Sequence, residues 1–248
     1  SGVIDFHRGE FPPPVLPAQL DGAVPLSRYL DDIEQALLPY DFEPANTLAA
    51  VSICRDELTQ HVMSDVTGRW GATFALGGLG GIPALGRTGW GACLAHVPER
   101  SGRGRLLVIG APHVGVTPDG ELGQNLRRGQ DHPTPTCGAL SSILASWGQH
   151  PPSGPDDSGL ADGEAQLLRH LVESELDQKP VGVIELTRAA ASAVEREMTA
   201  QLDALAPWRT MDVAVFIGIQ VHLPDSEDHV VPLVGQFRGP DGSSEAIV

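Results

Sequence analysis

The chain has 248 residues and a hydrophobic content of 41%, which fits an ordinary soluble globular protein at the upper end of single-domain size. A formal net charge of −16 argues against nucleic acid as the main partner, because phosphate binding needs a basic patch. No apolar run approaches the roughly 18 residues of a membrane span, and no basic, apolar start with a small-residue cleavage site marks a signal peptide.

In chain order, residues 1–25 carry prolines at 12, 13, 14, 17 and 25 and are expected to form an N-terminal arm. Residues 26–38 place Leu26, Leu30, Ile33, Leu37 and Leu38 at helical spacing, with Ser27 as the expected cap. The stretch 47–54 reads as a first buried strand, and 57–66 as the helix after it. Residues 70–95 contain Gly77-Gly78-Leu79-Gly80-Gly81 and glycines at 86, 89 and 91. This is no P-loop, because no Gly-Lys-Ser/Thr follows and the sole lysine is Lys179. The glycines are expected to let backbone pass close to a site or a partner subunit.

Residues 105–110 form the second strand of this reading, and 115–135 a long ordered loop with Arg127-Arg128, of a length usually tied to function. A helix is expected over 137–147, a turn region over 150–159, and amphipathic helices over 164–176 and 184–205. Residues 211–223 hold the longest clean strand, and 230–234 in the polar tail add an edge strand. Strands alternating with helices predict one mostly parallel α/β sheet flanked by helices, in a single domain over 1–248.

Three cysteines make no even disulfide framework, so a reducing, cytoplasmic location is expected. Cys93, between Ala92 and Leu94, reads as core packing. Cys54 differs: it closes an apolar run and is followed by Arg55-Asp56-Glu57. His113 closes the run 105–112, and Cys137 stands where a helix should begin, which favours its thiolate. Strand ends are where open α/β sheets gather their ligands. Cys54, His113 and Cys137 are therefore expected to hold one Zn2+ with a fourth position open, and Asp56 lies beside them. His61, His96 and His132 are candidate proton carriers, whereas His7, His150, His170 and His229 read as exposed. Other chemistries fail on motif: Gln60 stands where a phosphatase-type cysteine needs an arginine, and no C-x-x-C, G-x-S-x-G or H-E-x-x-H occurs.

The order Cys54-Arg55-Asp56-Glu57, Gly77-Gly78-Leu79-Gly80-Gly81, His96-Val97-Pro98, Gly110-Ala111-Pro112-His113-Val114-Gly115, Arg128-Gly129-Gln130, Cys137-Gly138-Ala139 resembles the limiting-CO2-inducible LCIB/LCIC family. These theta-class carbonic anhydrases are similar in fold to beta-carbonic anhydrases. Residues 216–222 look like that family's last core strand, and the match runs over about 47–235. The resemblance implies zinc on Cys54, His113 and Cys137, reversible hydration of CO2 to bicarbonate by zinc-bound hydroxide, and a homodimer with its sites near the subunit contact. Asp56 matches the aspartate of the beta-type Cys-x-Asp-x-Arg motif, which accepts a hydrogen bond from that hydroxide while an arginine keeps it ionised. Position 58 is Leu where the motif has Arg. Arg55, Arg127 and Arg128 are the candidates to replace it, and Arg55 is taken as the catalytic partner, although an adjacent strand residue points to the opposite face. Two rival readings remain: a zinc-containing bicarbonate-binding or assembly protein without turnover, and zinc hydrolysis of another small carbonyl compound.

Overall fold

The strands β2 (Thr47–Ile53), β5 (Arg103–Ala111) and β9 (Met211–His222) form because they are runs of small and branched apolar residues, and almost every position is buried. In this computed structural model, which describes residues 16–100, 102–149, 162–224 and 226–247, they lie side by side and parallel. β3 (Thr73–Ala75) extends the parallel set beyond β2. β10 (His229–Arg238) and then β1 (Val24–Pro25) close the other side antiparallel, so the path is β1-β10-β9-β5-β2-β3. Short pieces β4 (Glu99–Arg100), β6 (His113–Gly115) and β11 (Ser244–Ala246) add to β5, β9 and β10. The architecture is thus the mainly parallel α/β sheet read from the sequence.

Side-chain alternation divides the core into two layers. Leu48, Ala50, Leu106, Val108, Val213, Val215 and Ile217 face α3 (Gly86–Ala95), α4 (Gly138–Ala145), α5 (Gly163–Glu173) and α6 (Val183–Leu205). Ala49, Val51, Leu107, Ile109 and Phe216 face α1 (Leu26–Leu37) and α2 (Gln60–Trp70). Among the described residues no helix is long and apolar enough to cross a membrane.

Several local expectations change. Ser27 is no cap: Pro25 holds that position, and the Ser27 backbone N–H lies inside the helix, donating to Glu227 Oε1 at 2.6 Å. The helix expected from 57 begins with a 3-10 turn, Glu57–Thr59, capped by Asp56. The glycine-rich stretch contains α3, because burial of Trp90 and Cys93 outweighs the poor helix propensity of its glycines. β10 is no edge strand: it pairs with β9, β1 and β11 and absorbs Pro232 in a bulge between Pro232 and Val234. Within the long loop, β7 (Gln124–Asn125) and β8 (Thr134–Pro135) pair with each other. Of the expected arm only 16–25 is described, with a 3-10 turn at Ala18–Leu20 and β1, and the turn region 150–159 lies outside the described residues.

The glycines do bring backbones together. A Cβ on Gly77 would stand 2.0 Å from Ile53 O and 2.6 Å from Ile53 N, and one on Gly81 would stand 2.8 Å from Ala111 O. Neither neighbour is a side chain that can swing away. Gly77→Ala is therefore expected to cost on the order of 3 kcal/mol, read as a lower urea midpoint, because backbone must move to admit one methyl group. An unchanged midpoint would show that the contact is soft.

Candidate metal centre

Cys54 follows β2 directly, and the Thr59 hydroxyl fixes its carbonyl with a 2.7 Å hydrogen bond. His113 follows Pro112, at which β5 stops pairing with β2, and opens β6 opposite Gln220 of β9. Cys137 is the N-cap of α4, and its carbonyl accepts from Ser141 N at 3.0 Å. These three points are far apart in the chain, yet one ligand atom from each lies within 4.8 Å of the other two. All three residues are buried, and among the described residues they are the only His/Cys/Asp/Glu group so arranged.

The donor set fits a thiophilic divalent cation, as two tests show. His113 Nε2 is buried and has no hydrogen-bond partner, an orphan that a cation would satisfy. Next, the Cys137 thiol beside Cys54 lowers the Cys54 thiol to about 4, against the opposing effect of burial. Cys137 is pushed up in turn by Cys54 and by burial. Each thiol thus shifts the other's ionisation, and a bound cation would displace the thiol protons. Such a set leaves a fourth position free in tetrahedral zinc. Cys93 stands apart as packing: it is fully buried, and burial pushes its thiol up to about 12.

Asp56 is held at the rim. Its Oδ1 accepts from Leu58 N at 3.1 Å and its Oδ2 from Arg127 Nη2 at 3.0 Å. Arg127, not Arg55, is thus the guanidinium on Asp56. All five guanidinium N–H groups of Arg127 are used: on Glu57 Oε1 at 2.6 Å, Thr134 Oγ1 at 2.8 Å, Pro135 O at 2.9 Å, Thr136 O at 2.9 Å and Asp56. The loop leading to Cys137 is tied by this one side chain to the end of β2. Arg55 points away from Asp56 and meets Glu164 through Nε at 3.1 Å and Nη2 at 2.6 Å. Arg128 is exposed.

The other histidines separate clearly. His132 is exposed beside Asp131, and His96 is exposed with its ring 5.9 Å from that of Phe74. His170 is exposed, but His229 is half-buried, with its Nδ1 3.0 Å from Glu227 O. His7 and His150 lie outside the described residues. His61, at the surface, reaches Asp228 Oδ2 at 3.2 Å. Sequence reasoning missed His222. It is buried behind His113, Nε2 to Nδ1 at 2.9 Å, and its own Nδ1 meets Asp228 Oδ2 at 2.7 Å. Burial pushes the His222 pKa down despite Asp228. Asp228, although burial opposes it, is held well below the usual carboxylate range by His222, His61 and Gln220. The only available signal was a histidine ending an apolar strand, the same signal that marked His113.

A mainly parallel α/β sheet whose strand ends bring Cys, His and Cys to one point defines the class: beta-carbonic-anhydrase-like proteins with a candidate metal centre. A family model, limiting CO2-inducible proteins B/C beta carbonic anhydrases, matches residues 23–238, and the chain belongs to that family. The crystal structure of PtLCIB4, a homologue of the limiting CO2-inducible protein LCIB, superposes with a TM-score of 0.74 at 26% identity, covering 91% of this chain and 94% of that one. The crystal structure of LCIB itself superposes with a TM-score of 0.72 at 24% identity, covering 93% and 96%. No curated protein matches the sequence.

Proposed function

We propose that the protein is a zinc-dependent carbonic anhydrase that hydrates CO2 reversibly to bicarbonate. The observation that carries this reading is the buried Cys54–His113–Cys137 group, with Asp56 held ready beside it by Arg127. When bound, zinc supplies Lewis acidity that brings the pKa of water toward about 7. The chain's residues do the rest. Arg127 holds the Asp56 carboxylate in place, where it can accept a hydrogen bond and orient the attacking oxygen. Leu58 N and Arg127 fix that carboxylate from behind and leave its remaining lone pairs for the nucleophile. The reading without turnover drew its motive from Leu58, and Arg127 supplies the guanidinium that position lacks. The proposal includes a homodimer in a reducing, cytoplasmic setting, which suits three buried free cysteines.

Stopped-flow CO2 hydration on zinc-loaded protein, paired with metal analysis, tests it. About one zinc per chain and a chelator-sensitive rate well above buffer are expected. A rate equal to buffer at full zinc occupancy overturns the enzymatic reading and favours a bicarbonate-binding or assembly role.

A further inference from the structure

Behind His113 lies a second layer of bonds that the reading above does not use. The His222 side chain is 4% exposed, sits at the end of β9, and meets the His113 ring edge to face with centroids 5.2 Å apart. Asp228, in the connection from β9 to β10, is 11% exposed at its side chain. Its Oδ2 takes His222 Nδ1 at 2.7 Å, Gln220 Nε2 at 2.7 Å and His61 Nε2 at 3.2 Å. Gln220 is also the strand partner of His113, so the carboxylate is anchored to β9, which pairs with the strand that carries the His113 ring.

Chemistry at the two ends fixes the protons in between. If His113 Nε2 gives its lone pair to a cation, its hydrogen sits on Nδ1 and must find an acceptor. The atom facing it is His222 Nε2. His222 then carries its hydrogen on Nδ1, aimed at the Asp228 carboxylate. Two histidines packed merely to satisfy one another would need no carboxylate, and neither would leave a buried nitrogen bare. Here each nitrogen behind the site is bonded and the one facing Cys54 and Cys137 is free.

We propose that His222 and Asp228 are positioning residues which lock the His113 imidazole in its Nδ1–H tautomer and raise its basicity toward zinc. The inference rests on Cys54, His113 and Cys137 holding that ion. Outer partners of this kind are worth about 10- to 100-fold in metal affinity.

Chelator competition for zinc on the full chain tests it, with Asp228→Asn, His222→Leu and His222→Gln. The Gln amide can accept from His113 and donate to Asp228. Asp228→Asn and His222→Leu are expected to weaken zinc about 10- to 100-fold, and His222→Gln to recover most of that loss. Unchanged affinity in the first two, or equal losses in all three, overturns the proposal. A measurement on the unsubstituted zinc-loaded protein guards against variants that fail to fold: 15N-detected histidine NMR should show hydrogen on Nδ1 of both His113 and His222. Hydrogen on His222 Nε2 overturns the proposal equally. Failure of the unsubstituted chain to bind zinc would instead sink the metal centre itself.

Discussion

Cys54→Ala, His113→Ala and Cys137→Ala are each expected to lose zinc and, with it, CO2 hydration. Zinc binding to peptide sites is worth about 10–16 kcal/mol in total, so one ligand of a small set carries on the order of 3–5 kcal/mol, roughly a thousandfold in affinity. The two cysteines differ in a further respect. Because each thiol shifts the other's ionisation, removing either leaves the other without that neighbour. Each variant deletes little volume from its buried position except His113→Ala, which empties an imidazole-sized space and leaves His222 Nε2 without its partner. Thermal unfolding of the metal-free proteins separates this cost from the metal, and equilibrium zinc titration reads the ligand role directly. Full zinc occupancy in any of the three variants would remove that residue from the centre.

The second large effect falls on rate and spares the metal. Asp56→Asn preserves shape but exchanges one acceptor oxygen for a donor, so the carboxylate's grip on the attacking oxygen is lost. A fall of about a hundredfold in kcat at unchanged zinc content is expected. Arg127→Ala should act on the same step and also cost on the order of 3 kcal/mol of stability, because it strands Asp56 and three acceptors of the 134–136 segment. Arg127→Lys keeps the charge but not the planar fork, and should fall between the two. Arg55→Ala loses only a pair with one largely exposed member, with side chains 62% and 31% exposed, and should change stability by less than about 1 kcal/mol. If Arg55→Ala were to cost the rate while Arg127→Ala did not, the assignment of the guanidinium would be reversed.

The sequence revealed most where residues speak for themselves. β2 and β9 are apolar, uninterrupted and bounded by polar residues, and they lie where the pattern put them. Cys54, His113 and Cys137 each terminate or begin an element, and position along an element can be read from sequence. Partner choice cannot be read so easily. Arg127 reaches Asp56 across 71 positions of chain, and nothing near it distinguishes it from the exposed Arg128. Arg55 was adjacent to Asp56 and therefore attractive, yet Glu164, 109 positions away in the chain, is the carboxylate it meets. α3 was hidden by glycines whose low propensity is outweighed by burial of Trp90 and Cys93, and β10 by a proline that its bulge accommodates. His222 was hidden by its neighbours: only a fold shows that the ends of β6 and β9 run together.

Pro112 has an architectural effect of its own. Pairing between β2 and β5 ends at Ile53 and Ala111, while the chain beyond Pro112 continues along β9 alone. The sheet therefore forks at this level, and glycine-rich backbone packs closely on the ends of both strands, with Gly77 against Ile53 and Gly81 against Ala111. Strand ends packed against main chain, not against side chains, have a spacing that core mutations can scarcely adjust. Grafting this centre onto another scaffold would mean transplanting the fork and its glycine-rich neighbour along with the liganding side chains.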